Sequence, residues 1–421
     1  MNADEHGRWT ALIGKHQAGG PHKLTIISED QEIVLQNILF GDVWLASGQS
    51  NMEFRLSQAL DAESEIKQAT QSTIRYITVP TMTSRVPLST ISNTAAWKEI
   101  SPATAGDVTA VGYFFARKIA EETDVPIGLL ISAVGGTKAE SWTSYDTLQG
   151  MTSYASSAEK IRNGASVIET SSSPTILYNG MIAPLTPYAL KGVLWYQGES
   201  NWGEQQYKEL LPTFMKNWRT VFHNNELPFV IIQISSFGAL QSEENPAQTY
   251  PGLSEIREAQ LLTVLQDKNA SLVITTDVGD PLDIHPINKQ DVGMRAALSA
   301  LGKWYGHNIT YSGPIYESME QNGNEITLNF SHVGKGLIAG VKDGLQPVKQ
   351  AEENTLLGFA IAGEDGVFHP AHAVIKGKQV VVSSANVEKP IHVRYGWNDA
   401  PVINLYNKDG LPASPFRTDL P

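Results

Sequence analysis

The stretch GDVWLASGQSNMEF, Gly41–Phe54, decides how the rest of the chain is read. An apolar run, Val43 to Ala46, ends in Gly48, Gln49, Ser50 and Asn51, polar residues where a core strand would place more Val or Leu. A turn that merely contains a serine is one explanation. The other is a strand that delivers a nucleophile to its own C-terminal end, and the surrounding chain has to choose between them.

Working outward, short apolar runs alternate with amphipathic stretches. The strand candidates are DVWLAS (42–47), TIRYITV (73–79), IGLLISAV (127–134), GVLWYQ (192–197), PFVIIQIS (228–235) and SLVITTDV (271–278). Between and after them lie GYFFARKIAEET (112–123), QQYKELLPTFMKNWRTVF (205–222), EIREAQLLTVLQ (255–266) and QDVGMRAALSALGKW (290–304), whose apolar positions recur at helical spacing. Continuous apolar runs divided by helices predict a mostly parallel sheet covered on both faces, an α/β architecture.

The first forty residues are expected to be β-structure, from the runs WTALIG (9–14), KLTIIS (23–28) and EIVLQNILF (32–40). After about residue 310 the helical period disappears, and NEITLNF, GLIAGV, LLGFAIAG, QVVVSSANV, IHVRYGW and VINLYN follow one another across Gly-, Asn- and Asp-containing turns. This predicts accessory antiparallel β-modules. The expected division is a β segment at 1–38, a catalytic domain at 39–308 and an antiparallel β-domain at 309–421. The Ser-rich segment 152–180 reads as an irregular excursion near the active face.

Composition narrows the function classes. The chain has 421 residues, 31 Lys+Arg against 44 Asp+Glu and a formal charge of −13, with no basic run, so neither nucleic acid nor an anionic membrane surface is an expected partner. Cysteine is absent, which removes disulfides, thiolate metal sites and a cysteine nucleophile together. No window approaches the eighteen apolar residues a membrane span needs. The N-terminus as written lacks a signal-peptide pattern. The expected compartment is therefore periplasmic or extracellular if a leader has been removed, and cytoplasmic if the chain is complete as it stands.

In an open parallel sheet, ligands gather beyond the carboxyl ends of the strands. The unusual polar residues follow four strands: Gln49, Ser50 and Asn51; Gly135, Gly136 and Thr137; Gln197, Gly198, Glu199 and Ser200; and Asp280, Asp283 and His285. A serine hydroxyl becomes a useful nucleophile when an imidazole takes its proton, and a carboxylate holds the resulting imidazolium. Ser50, His285 and an acid fit those roles. The oxyanion of a tetrahedral intermediate needs donors already aimed at it, which Gly135 or Gly136 and the Gln197 amide are placed to supply. Each residue alone has an ordinary structural explanation, a turn, a cap or a core contact. Their conjunction at one sheet edge carries the weight.

Together GDVWLASGQSNME, GGTKAESW (135–142), LWYQGESN (194–201) and DIHPINKQDVGMRAA (283–297) resemble the sialate O-acetylesterases and related carbohydrate acetylesterases of the SGNH-hydrolase superfamily. The C-terminal LLGFAIAGEDGVFHPAHA, VRYGW and NLYNKDGLPASPFRTD look like the end of the same proteins, so the likeness covers nearly the whole chain. The resemblance implies a flavodoxin-like three-layer α/β/α domain, a Ser-His-acid mechanism through an acetyl-enzyme, and no cofactor or metal. It makes Ser50 the nucleophile, His285 the general base, and Ser50, one of Gly135 and Gly136, and Gln197 the oxyanion hole. It also implies a fuller β-domain and a leader ahead of Gly19.

The superfamily's Asp-x-x-His pattern is not met, because Leu282 stands three before His285. Asp283 is the first candidate for the acid, Glu199 the second and Asp280 the third. Gln49, Asn51, Trp142, Trp195 and Trp202 are candidates for contacting an acetylated sugar or oligosaccharide, and Lys138, Lys289 or Arg295 for meeting a sialic-acid carboxylate. The rival readings are a non-catalytic carbohydrate-binding protein on the same scaffold, and a thioesterase, lipase or peptidase with another specificity.

Overall fold

The computed structural model describes all residues except 1–3, 6, 8, 10, 12, 29–30, 93, 166–169 and 420–421. The chain opens with an antiparallel hairpin, β1 (Gly19–Ile27) and β2 (Glu32–Phe40), whose register slips near His22. Two strands do not hold themselves in water. This pair is tied to the edge of the main sheet by Arg75, which donates to the Asn37 carbonyl, to Asn37 Oδ1 (2.8 Å) and to Glu99 Oε1 (3.2 Å). The predicted run at 9–14 is not a strand at its described residues; Trp9 and Ile13 are about half exposed. Thr10 and Leu12 lie outside the described residues.

From Asp42 the chain builds β3 (Asp42–Gly48), α1 (Ser50–Glu53), α2 (Ala62–Gln68), β4 (Ile74–Thr78), β5 (Lys98–Glu99), α3 (Ala110–Thr123) and β6 (Ile127–Ala133). After α4 (Tyr145–Gln149) and α5 (Ala155–Arg162) it continues with β7 (Gly192–Tyr196), α6 (Tyr207–Val221), β8 (Phe229–Ile232), α7 (Leu253–Gln266), β9 (Ala270–Val273) and α8 (Lys289–Trp304). Helix α5 corrects the reading of 152–180 as irregular. Tyr154 and the helical Ala158 and Ile161 bury their side chains in the core, and Ser-rich composition conceals that spacing.

Seven strands form one sheet in the order β5-β4-β6-β3-β7-β8-β9, all parallel except the short edge strand β5. Because side chains alternate along a strand, β3 sends Trp44 and Ala46 to one face and Leu45 to the other, and both faces are apolar. Helices α3 and α8 pack on the Trp44 side, while α6 and α7 pack on the side of Leu45 and Trp195. The product is a three-layer α/β/α arrangement with β3, the first strand, in the middle.

From Ile315 onward the described strands pair antiparallel in small sheets around a third core that includes Leu328, Val382 and Tyr395. Buried Arg257 of α7 ties this region to the α/β/α layers. It donates to the carbonyls of Ile234 and Ser235 near the β8 end and to those of Asn398 and Asp399. Four carbonyl acceptors satisfy a guanidinium that burial disfavours, lowering its pKa to about 10.

Candidate active site

The site begins with a glycine. Gly48 ends β3 at φ +140°, and a Cβ there would lie 2.1 Å from the Tyr196 carbonyl oxygen of the neighbouring strand. Glycine therefore lets β3 turn sharply against β7 and present Ser50 at the sheet's carboxyl edge. Gln49 N–H donates to the same Tyr196 carbonyl (3.0 Å), and Ser50 is the first residue of α1, so its own N–H has no acceptor inside the helix.

On the far side, the loop after β9 brings His285 back. His285 Nε2 lies 2.8 Å from Ser50 Oγ, although 235 positions separate the two residues. Asp283 Oδ1 accepts the backbone N–H of His285 (2.8 Å) and stands 3.5 Å from its Nδ1. With Nδ1 protonated, Nε2 is the acceptor for the serine proton. Asp280 is turned to the backbone N–H of Leu282 (2.8 Å), a local turn bond.

Gly135 is adjacent to the serine, since a Cβ on it would fall 3.3 Å from Ser50 Cβ. Its N–H donates to Glu53 Oε2 (2.7 Å). Glu53 was not among the sequence candidates. It sits three residues after Ser50 on α1, so helical spacing puts it beside the serine, and that spacing was the available signal. Gly136, at φ +69°, is exposed with open space around it.

Gln197 departs from its expected role. It is fully buried, and its Nε2 already donates to the Thr137 carbonyl (3.1 Å) and to Asn201 Oδ1 (2.7 Å). Tyr207 OH donates to its Oε1 (3.1 Å). An amide with both hydrogens spent within the protein has none free for an oxyanion. Asn201 passes the network on to Glu140 Oε2 (3.0 Å) and Glu204 Oε2 (2.8 Å), and burial raises the pKa of Glu140.

Glu199 is likewise engaged elsewhere. Its Oε1 accepts from Asn51 Nδ2 (2.7 Å), and the same amide nitrogen donates to the Ile284 carbonyl (3.0 Å). Lys289 Nζ donates to Asn51 Oδ1 (2.5 Å). Burial raises the pKa of Glu199, opposed by the Asn51 bond, Lys289 and His285. Burial lowers that of Lys289 to about 7, opposed by Glu199 and Asp283.

Of the sugar-contact candidates, Asn51, Trp142 and Trp195 are fully buried, and Gln49 nearly so. Gln49 Oε1 accepts from the backbone N–H of Ser200 (3.2 Å), which ties the β3 and β7 loops together. Trp142, Trp195 and Trp218 pack edge to face in the core, as wide apolar rings do when helices cover a sheet. Trp202 remains, 53% exposed. The basic candidates are all held: Lys138 by Glu204 (2.5 Å), Arg295 by Asp277 (2.6 Å) and Lys289 by Asn51.

A serine hydroxyl within hydrogen-bonding distance of an imidazole, beside a glycine N–H, is an arrangement able to carry acyl transfer. The family described as carbohydrate esterase, sialic acid-specific acetylesterase, matches residues 40–301, more than half of the chain. The chain belongs to that family. Members of this carbohydrate esterase family are carboxylic ester hydrolases. The chain is 29% identical to the sialate O-acetylesterase of Mus musculus, covering 97% of this chain and 83% of the mouse protein. It is 29% identical to that of Pongo abelii over 77% of this chain, and spans about two thirds of the length of that relative. A crystal structure of a carbohydrate acetylesterase from Xanthomonas citri superposes with a TM-score of 0.85 at 36% identity, over 99% of this chain and 89% of that one. Its likeness extends through the parallel sheet and the antiparallel β-sheets. Among the described residues no helix is long and apolar enough to cross a membrane, and no cluster of three or more His, Asp or Glu could hold a metal ion.

Proposed function

We propose that this chain removes O-acetyl groups from carbohydrates through an acetyl-enzyme. Ser50 Oγ attacks the acetyl carbonyl as His285 Nε2 takes its proton; the imidazolium then protonates the departing sugar oxygen. Water, deprotonated by the same ring, releases acetate and restores Ser50. The observation that carries this reading is the 2.8 Å contact between Ser50 Oγ and His285 Nε2.

The N–H groups of Gly135 and Ser50 are the proposed oxyanion donors. Glu53 accepts the Gly135 N–H, so its carboxylate has to swing aside for the acetyl oxygen to take that donor. Asp283 is the proposed orienting acid. At 3.5 Å from Nδ1 and with a 59% exposed side chain, it acts more weakly than a buried triad carboxylate. Glu199 supports the site through Asn51. Lys138 is already paired with Glu204, and Lys289 and Arg295 are buried against Asn51 and Asp277, so none of the three is an unpaired exposed cation for a sialic-acid carboxylate, which favours a neutral acetylated sugar.

Hydrolysis of an aryl acetate by wild type and Ser50→Ala tests the reading. A fall of about 10³-fold or more is expected. Equal rates would return the chain to a carbohydrate-binding role, and a marked preference for long acyl chains would make it a lipase or thioesterase.

A further inference from the structure

Lys289 takes no part in the chemistry just described, yet it is among the most deeply buried charged groups in the protein. It lies at the start of α8 with no exposed surface, its Nζ 4.7 Å from the centre of the Phe54 ring and 5.5 Å from that of Tyr196. The hydrogen bond the structure gives it is to Asn51 Oδ1 (2.5 Å), on the residue next to the nucleophile. A lysine that only balanced charge would be expected to touch the carboxylate it balances. Here an amide stands between Lys289 and Glu199.

An asparagine amide has two ends that look alike in shape and opposite in chemistry. With Oδ1 toward Lys289, both hydrogens of Nδ2 are used, one on Glu199 Oε1 (2.7 Å) and one on the Ile284 carbonyl (3.0 Å). Turned over, the amide would set a donor against the lysine and an acceptor against both a carboxylate and a carbonyl. The donor at Nζ therefore joins the two acceptors in selecting the orientation in which Asn51 grips the Ile284 carbonyl, the peptide joined directly to His285, and among the described residues it is the one partner that holds the Oδ1 end. This link runs from α8 through the residue after the nucleophile to the residue before the base.

We propose that Lys289 is a positioning residue for the Ser50–His285 pair, acting through Asn51 by fixing the amide that pins the Ile284–His285 peptide. This rests on the esterase reading for its catalytic consequence, but the pinning itself is a property of the fold. Burial of a lysine is costly unless the group is held, and the return here is a loop residue held to a reactive distance without a rigid strand beneath it.

Two measurements on the whole chain test it. The first is hydrogen–deuterium exchange of the 279–289 segment, which reads the pinning whatever the reaction proves to be. Lys289→Met should lower its protection about tenfold or more, with the rest of the sheet unchanged. The second is steady-state hydrolysis of an aryl acetate, where kcat should fall about 10- to 100-fold while KM changes less than about threefold, because a misplaced base alters turnover more than binding. Lys289→Met/Glu199→Gln removes both buried charges and keeps the test should the single variant not fold. Compared with Glu199→Gln alone, the double variant should still lose protection and kcat. If it matches Glu199→Gln in both, the lysine only balances charge and the proposal is overturned. Unchanged exchange in the variants overturns it as well, and so does lost protection with full kcat. Wild type against Ser50→Ala is run beside these, so a failure of the esterase reading appears there and not in the exchange result.

Discussion

Asp283 Oδ1 accepts the backbone N–H of His285 at 2.8 Å while standing 3.5 Å from the Nδ1 of the same residue. One carboxylate thus holds the loop firmly and the ring loosely. Asp283→Asn is expected to lower kcat/KM on an aryl acetate by about 10- to 100-fold, well short of the roughly 10⁴-fold seen when a buried triad acid is neutralised. A loss near 10⁴-fold would mean that the side chain closes on Nδ1 when substrate binds.

Glu199→Gln keeps an oxygen for Asn51 and removes a buried charge. Its effect on kcat is expected to be smaller than that of Asp283→Asn, less than about tenfold, measured on the same ester. The reverse ranking would move the acid to the loop after β7.

The two glycines beside Ser50 separate folding from the proposed chemistry. Gly48→Ala drives a Cβ to 2.1 Å from a backbone carbonyl in the left-handed region, and should cost at least about 3 kcal/mol by denaturant titration. Gly135→Ala meets Glu53 Oε2 at 3.2 Å and Ser50 Cβ at 3.3 Å without that backbone strain. It should leave the melting temperature within a few degrees and reduce turnover about tenfold or more.

Lys289 makes stability depend on pH in a defined direction. Its folded pKa, about 7, lies below the unfolded value near 10.5, so between those values the unfolded chain binds the extra proton. Stability therefore rises with pH across that window, by on the order of 1 kcal/mol per unit. The difference between wild type and Lys289→Met, followed by denaturant melts from pH 7 to 10, should grow in favour of wild type. A flat difference would mean the amine is solvated.

The tryptophans divide in the same way. Trp195→Ala empties a fully buried site and should destabilise by about 3–5 kcal/mol. Trp202→Ala should leave stability unchanged and raise KM for an acetylated oligosaccharide severalfold, with little effect on an aryl acetate. Equal KM values on the oligosaccharide would remove Trp202 from the sugar site.

The α/β order was legible because period and burial are local. The alternating apolar runs named the six parallel strands, and helical spacing named α3, α6, α7 and α8. The positions of Ser50 and His285 were legible because polar residues at strand ends break an apolar pattern that the core otherwise imposes. Where local pattern was weak, the reading failed: Trp9 and Ile13 lie outside any strand, and α5 hides in a Ser-rich segment.

What tertiary structure alone decided is which polar groups face Ser50 and which face one another. Gln197, Glu199 and Asn51 occupy motif positions suited to catalysis. Yet each is hydrogen-bonded to residues far away in the chain, Thr137, Asn51, Lys289 and Ile284 among them. A side chain's role depends on the partner that reaches it first, and that is fixed by distances of a few tenths of an ångström that no spacing along the sequence records. Composition and periodicity determined the sheet and its reactive edge; packing determined who is free to act there.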